Sequence, residues 1–216
     1  MKREFLLFLV CLAVTSCADE KEMLDATGDA YVLVNSDAKG ELRYALGLHV
    51  RSNVAVSKVS ASGPSGVYSL NRESDFDFYY ETKFNTQPPV AGEFRFDISL
   101  KDGRIHVAND TLTDDSIVPV TITNCQFRAP ELIVIWDLVT ADKYQVQLAT
   151  EAGNIVYSSA LLEKTTKRLA IPTSVWDTAI NGTRGTAIVA ALKLTDPIAN
   201  TLQAKAISST AVTFPD

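Results

Sequence analysis

Alternation of apolar and polar residues is the feature that most constrains the fold of this chain. Between residues 42 and 50 every second residue is apolar: Leu42, Tyr44, Leu46, Leu48 and Val50. Because successive side chains of a strand point to opposite faces, this run predicts a strand with one face in a core and one face in water. Similar runs follow at residues 76–80 and 94–100, and no long helical period competes with them. The sequence therefore predicts an all-β fold.

Turn residues separate the alternating runs. Asp102-Gly103 lies between the run at 94–100 and the apolar residues that begin at Ile105, which predicts a tight hairpin. From Val118 onward about seven short apolar runs are spaced by turn signals, as is typical of a β-sandwich. The run Leu132–Trp136 is apolar at every position, so we expect it to form a central strand.

A polar, acidic segment at residues 110–116 interrupts the pattern, and we place a domain boundary there. The sequence then predicts two tandem β-sandwich domains, an immunoglobulin-like domain at residues 30–117 and a second sandwich at residues 118–216. Within the second half, the residues around Trp136, Tyr144 and Leu169 resemble the fibronectin type III pattern. The resemblance implies that a tryptophan of one sheet packs on a tyrosine of the other and that an aliphatic residue closes the layer. The tyrosine that usually ties down a corner of that family has no counterpart in residues 182–191.

The N-terminus carries a targeting signal. Lys2 and Arg3 precede an apolar run at residues 5–14, which is too short to span a bilayer, and the run leads to Cys17. This arrangement resembles the lipobox of bacterial lipoproteins. The resemblance implies a signal peptide at residues 1–16, lipid attachment at Cys17 and a polar tether at residues 17–29. Residues 18–22 resemble the acidic export tag of some Gram-negative lipoproteins, the alternative being an ordinary solvated linker. We therefore expect an outer membrane lipoprotein that faces the cell exterior and contacts the membrane through its lipid.

Charge and cysteine content exclude several classes of protein. The formal net charge is −6, and no basic stripe suited to nucleic acid is present, so we expect no nucleic-acid partner. Cys11 leaves with the signal peptide and Cys17 takes the lipid, which leaves Cys125 without a disulfide partner within the chain. Stability must then come from packing.

Residues with catalytic or metal-binding chemistry are sparse. His49 and His106 both alternate toward polar faces, and no nucleophile, phosphate-binding or zinc motif accompanies them. The acidic residues Asp75 and Asp77, and likewise Asp110, Asp114 and Asp115, have no recognisable calcium-loop spacing. We predict no catalytic residue, no metal site, no cofactor and no enzymatic activity.

Two aromatic residues are candidates for contact with a ligand. Tyr79 alternates away from its apolar neighbours, and Trp176 lies in a polar segment; for both residues the alternative is packing within the fold.

Asp-Ser/Thr-apolar tripeptides, which resemble O-glycan acceptor sites of some gut-type Gram-negative bacteria, predict glycosylation at Thr111, Ser116 and Thr178.

These features together predict a non-enzymatic surface lipoprotein that acts as a binding or adhesion module for a protein or a glycan. One alternative is an accessory glycan-binding lipoprotein of an outer-membrane polysaccharide-uptake complex. A further alternative is a structural spacer within a larger assembly.

Overall fold

The computed structural model describes residues 24–196 and 201–215, without the side chains of Thr178 and Asp196. Within those ranges the chain forms two short 3₁₀-helices, Thr173–Val175 and Thr178–Ile180, and sixteen strands. The strands are β1 (Ala26–Ser36), β2 (Leu42–Ser52), β3 (Val56–Gly63), β4 (Gly66–Ser69), β5 (Asn71–Arg72), β6 (Asp77–Glu81), β7 (Gly92–Leu100), β8 (Ile105–Leu112), β9 (Ile122–Arg128), β10 (Glu131–Trp136), β11 (Lys143–Thr150), β12 (Ile155–Ser158), β13 (Leu162–Glu163), β14 (Arg168–Pro172), β15 (Arg184–Asp196) and β16 (Thr201–Thr213).

One large sheet runs through both halves of the chain. Its strand order is β12-β11-β15-β16-β1-β2-β6-β5, and β13 also pairs with β11. The halves join where β1 pairs in parallel with β16, with Val32 opposite Ala204 and Val34 opposite Ala206. All other pairs of this sheet are antiparallel. The first and last long strands of the described chain are therefore neighbours at the centre of the sheet.

Two smaller sheets cover one face of the large sheet. The sheet β4-β3-β7-β8 belongs to the first half of the chain, and the sheet β14-β10-β9 belongs to the second half. One apolar cluster joins all three sheets and includes Val32, Phe96, Val134 and Val189. The layers approach closely, since a Cβ atom on Gly28 of β1 would lie 2.3 Å from the ring of Phe96 in β7. The predicted all-β, sandwich-type fold is thus confirmed.

The tryptophan–tyrosine contact that the fibronectin resemblance implies is present. Trp136 of β10 packs on Tyr144 of β11 across the two layers, with ring centroids 5.7 Å apart, and Leu169 of β14 packs against the same core. The hydroxyl of Tyr144 donates to Val139 O at 2.9 Å and accepts from Val139 N at 3.0 Å. The strand β10, predicted to be central, lies between β14 and β9.

The predicted domain boundaries remain predictions, and the structure adds two facts to them. β1 begins at Ala26, so the last residues of the predicted tether, 26–29, belong to a strand. The two halves also share one hydrogen-bonded sheet, while residues 113–121 connect them without forming a strand.

Buried polar groups join the halves at this connection. Gln203 of β16 is 3% exposed and makes four hydrogen bonds. Its amide donates to Thr111 O at 2.8 Å and to Thr195 Oγ1 at 2.7 Å, and its carbonyl accepts from Thr113 N at 2.7 Å and from Thr113 Oγ1 at 2.6 Å. Asp110 of β8 accepts from Ala30 N of β1 at 2.8 Å. The polar segment that the sequence marked as a boundary therefore supplies partners to both central strands.

Candidate functional site

A groove of about 760 Å³ lies on the outer face of the large sheet, which is the face turned away from the two smaller sheets. We call it the outer groove. It crosses six neighbouring strands, from β11 through β15, β16, β1 and β2 to β6, which corresponds to about 24 Å along the sheet at the usual strand spacing. Its lining residues are Asp29, Tyr31, Leu33, His49, Arg51, Glu73, Asp77, Tyr79, Glu81, Gln145, Gln147, Leu161, Leu192, Leu194, Leu202, Lys205 and Ile207.

Apolar residues on the outer face of β1 form part of the groove floor, and Ala45 of β2 packs against them. Tyr31, Leu33 and Ala45 make a small cluster of their own and are at most 7% exposed, although no second sheet within residues 24–196 and 201–215 covers them. Gly47 lies opposite Tyr31, and a Cβ atom there would lie only 2.5 Å from Cε2 of Tyr31. The absence of a side chain at Gly47 therefore lets the Tyr31 ring lie across β2. The alternation of β2 had predicted a solvated outer face, whereas in the structure Ala45 and Gly47 on that face are buried beside Tyr31.

The first half of the chain supplies one side of the groove, where polar groups are paired. His49 donates through Nε2 to Asp77, and the Tyr79 hydroxyl donates to Glu81. Burial raises the pKa of Tyr79, and the hydrogen bond to Glu81 raises it further. Burial likewise raises the pKa of Tyr31. Both phenols stay protonated at neutral pH, and the single O–H of Tyr79 is the donor to Glu81.

Asp29 lies beside the β1–β16 junction and has a perturbed pKa. Both of its carboxyl oxygens accept from Leu202 N, each at 3.1 Å. Burial raises the pKa of Asp29 from 3.8 to about 7, and the negative charge of Asp110 adds to this effect. The Leu202 hydrogen bond and the charge of Arg51 oppose the rise without cancelling it.

The second half of the chain supplies the other side, which is mainly apolar and amide-bearing. Lys205 of β16 lies in register with Leu33 on one neighbouring strand and with Leu192 on the other. Burial lowers the pKa of the Lys205 ammonium, and the nearby charge of Glu81 opposes that effect. Beyond Leu192, the amide nitrogen of Gln145 donates to Ser158 Oγ at 3.2 Å, and that of Gln147 donates to the same oxygen at 3.4 Å.

The structure separates the two aromatic candidates. Tyr79 lines the outer groove, so its position suits a contact role, which itself stays a prediction. Trp176 is 6% exposed and packs edge-on against Phe214, with ring centroids 5.6 Å apart. That placement is the packing alternative for Trp176, and a surface contact through its ring does not fit it.

The predicted modification sites stay predictions. Cys17 lies outside the described residues. Thr111 is exposed on β8, Ser116 is exposed in the strand-free connection, and Thr178 begins a 3₁₀-helix, its side chain being outside the described part.

The remaining titratable residues of the described chain form no metal site. Asp75 makes ion pairs with Arg72 and with Lys101, the latter at 2.5 Å. Within residues 24–196 and 201–215, no group of three or more His, Cys, Asp or Glu side chains is placed to hold a metal ion. His106 lies on β8 and does not line the outer groove.

Asp29, Tyr31 and Lys205 are groove residues that the sequence did not single out. Asp29 and Tyr31 alternate with Ala30 and Val32, which places them on the face opposite the core. Lys205 lies between Ala204 and Ala206, and this alternation likewise places it on the face opposite the core. Alternation alone could have placed each side chain on the outer face, although it does not show that the outer face forms a groove.

No protein-family model matches this sequence, and the search of curated proteins found no match. Similar solved structures include a segment of two fibronectin type III domains from chicken tenascin, with 13% identity, 88% of this chain and 99% of that chain covered, and a TM-score of 0.30. A biofilm-associated protein BSP domain is 14% identical, with 88% and 30% of the chains covered and a TM-score of 0.28. A tetra-tandem repeat from the extending region of a large adhesion protein is 14% identical, with 86% and 49% covered and a TM-score of 0.29. This chain thus spans less than a third of the second structure and about half of the third.

Among the residues that the structure describes, no helix has the length and apolar character needed to cross a membrane.

Proposed function

We propose that this protein is a non-enzymatic binding module, held at the outer membrane by lipid on Cys17, and that the outer groove is its binding surface for a glycan. The observation that carries the proposal is the groove itself, which crosses the junction of the two halves and exposes Tyr79 beside polar groups. A concave site with convergent polar side chains is the usual form of a small-ligand site.

The chemistry of the groove suits a saccharide. The apolar face of a sugar ring stacks on an aromatic ring, and the half-buried Tyr79 supplies such a ring. Sugar hydroxyls both donate and accept hydrogen bonds, and the carboxyl groups of Glu73 and Asp77 and the amide of Gln147 can meet them.

An extended peptide fits the outer groove less well. Peptides often bind a sheet by adding a strand at its edge, where main-chain groups are unpaired. Each strand that crosses the groove has a paired strand on both sides, so a peptide lying on the face of the sheet would find no free edge to extend. A protein partner would have to rely on side-chain contacts alone.

Titration of the full-length protein in detergent against a panel of oligosaccharides tests this proposal. We expect Tyr79→Ala to weaken binding about tenfold or more, because stacking on the ring is lost. Tyr79→Phe keeps the ring and should retain more of the affinity than Tyr79→Ala. Phe76→Ala is the matched control, since Phe76 is 49% exposed and does not line the groove.

Other outcomes favour the alternatives. Equal binding by the wild type and Tyr79→Ala would show that the outer groove is not the glycan-binding surface. A co-purifying protein with no saccharide signal would favour an adhesion or spacer role. Neighbouring genes that encode a transporter and glycosidases would favour an accessory role in polysaccharide uptake.

One observation favours a second candidate, a hydrolase. Asp29 combines a pKa of about 7 with a place in a groove that also holds Asp77 and Glu81, and glycoside hydrolysis uses a protonated and an ionised carboxyl group. Against this, both oxygens of Asp29 already accept from Leu202 N. Turnover of a bound oligosaccharide that Asp29→Asn abolishes would establish catalysis, and unchanged oligosaccharide after prolonged incubation would exclude it for that ligand.

A further inference from the structure

Lys205 is the one charged side chain among the described residues that line the groove on the β11, β15 and β16 side. Its neighbours in register are Leu33 and Leu192, and its ammonium group makes no hydrogen bond or ion pair with any residue of the described chain. Lys205 is half-buried, and a lysine partly withdrawn from water normally has a partner, because removing an ammonium from water is costly. None of the described residues thus supplies a partner for this cation of the groove.

The carboxyl groups of the groove lie on its other side, and most of them are engaged. Asp77 accepts from His49, Glu81 accepts from Tyr79, and Asp29 accepts from Leu202 N. Glu81 acts on Lys205 through its charge without forming an ion pair with it. The carboxyl groups thus lie on the β1, β2 and β6 side of the groove, where Arg51 and His49 also lie. Lys205 lies on the β16 side and has no ion-pair partner among the described residues.

We propose that the ligand of the outer groove is an acidic saccharide and that a carboxylate of this ligand pairs with Lys205. The inference rests on the groove being the glycan site proposed above, and it adds the chemical class of the ligand. A carboxylate would form the ion pair that no described residue forms with Lys205, and charge-assisted hydrogen bonds of this kind are among the strongest in proteins. Gln145 and Gln147 lie on the same side of the groove and can meet the hydroxyls of the adjoining sugar.

A purely structural role of Lys205 predicts a different result. Its alkyl stem could merely cover the apolar floor at Leu33 and Leu192 while the ammonium reaches water. In that case the charge would not matter, and replacing Lys205 with an apolar residue of similar length would leave ligand affinity unchanged.

The test uses the full-length protein in detergent and a panel of acidic saccharides, namely uronic-acid, sialylated and sulfated oligosaccharides, each with a neutral counterpart. For uronic acids the counterpart is the methyl ester of the same oligosaccharide. We expect the wild type to prefer the acidic member of a pair, and Lys205→Met to weaken that binding about 10- to 100-fold. Lys205→Arg should restore most of the loss, since it keeps the charge.

Lys143→Met is the matched control. Lys143 lies on β11 in register with Leu192, pairs with Glu163 at 2.6 Å and does not line the groove. The Lys143→Met variant removes one positive charge from the same part of the large sheet and should leave the affinity for the acidic saccharide unchanged. Circular dichroism and thermal unfolding establish that both variants are folded. We expect Lys205→Met to be at least as stable as the wild type, because a methionine between leucines leaves no ammonium to desolvate.

Each outcome decides between the two proposals. Equal affinity for acidic and neutral members, or unchanged binding by Lys205→Met, would overturn the role of Lys205 and leave the groove as a glycan site. No binding of any saccharide would overturn the glycan site as well. Binding of poly-glutamate that depends on Lys205, with no saccharide bound, would reassign the site to an acidic peptide.

Discussion

Asp29 should make the stability of this protein depend on pH in the direction opposite to that of most acidic residues. Its pKa rises from 3.8 to about 7 in the folded state, mainly because of burial. Between these two values the folded protein holds a proton on Asp29 that the unfolded chain has released. The stabilisation from that proton is fully present below about pH 4 and is lost as the pH rises through about 7.

The size of the effect follows from the change in pKa. Each pKa unit corresponds to about 1.4 kcal/mol, so a rise from 3.8 to about 7 gives about 4 kcal/mol as an upper limit. The groove side of Asp29 is open to water, which reduces the effect, and we expect about 2 to 4 kcal/mol. The Asp29→Asn variant cannot ionise, and its side-chain oxygen can still accept from Leu202 N. At pH 8 it should be more stable than the wild type by that amount, and at pH 4 the two should be equal.

Chemical unfolding of the full-length protein at pH 4, 6 and 8 measures this difference. Trp136 and Trp176 are both buried, so their fluorescence reports the loss of the core. Asp114→Asn is the control, since it makes the same change of charge at an exposed residue of the connection between the halves. A difference between Asp29→Asn and the wild type that is the same at pH 4 and pH 8 would refute the reasoning.

Two further variants test the packing. Gln203→Leu removes a buried amide with four hydrogen bonds and leaves Thr113 N without its acceptor, so we expect a loss of about 2 to 4 kcal/mol and faster hydrogen exchange at Thr113; unchanged exchange there would contradict the described contact. Gly28→Ala would place a Cβ atom 2.3 Å from the ring of Phe96, and urea unfolding should show a loss of about 3 kcal/mol, whereas wild-type stability would show that the layers separate easily.

Local patterns in the sequence were sufficient to predict the strands and the fold class. The alternation at residues 42–50 corresponds to β2, and Asp102-Gly103 forms the turn between β7 and β8, with Gly103 at φ +89°. These predictions succeed because the side-chain period of a strand and the backbone preference of a turn are both local properties. The contact of Trp136 with Tyr144 was predicted from the resemblance to the fibronectin type III pattern, because residues at those positions of the pattern are in contact in the folded family.

The outer groove was not predictable in the same way. Tyr79 was placed on the face that forms the groove, whereas Ala45 and Gly47 were assigned to a solvated face and are buried in the structure. Trp176 lies in a polar segment of the sequence and yet reaches the core, because its loop folds back onto Phe214. Exposure depends on what packs nearby in space, and alternation contains no information about that.

The sequence by itself determined which segments become strands, which of their faces is apolar and where hairpins turn, since each of these depends on residues a few positions away. Strand partners over long distances were settled by packing alone. β1 pairs with β16 across nearly the whole chain, and this pairing brings Asp29 to Leu202 and aligns Leu33 with Lys205. Alternation specifies the face of a strand but not its neighbour, so the groove and the perturbed charges within it arise when the two halves join.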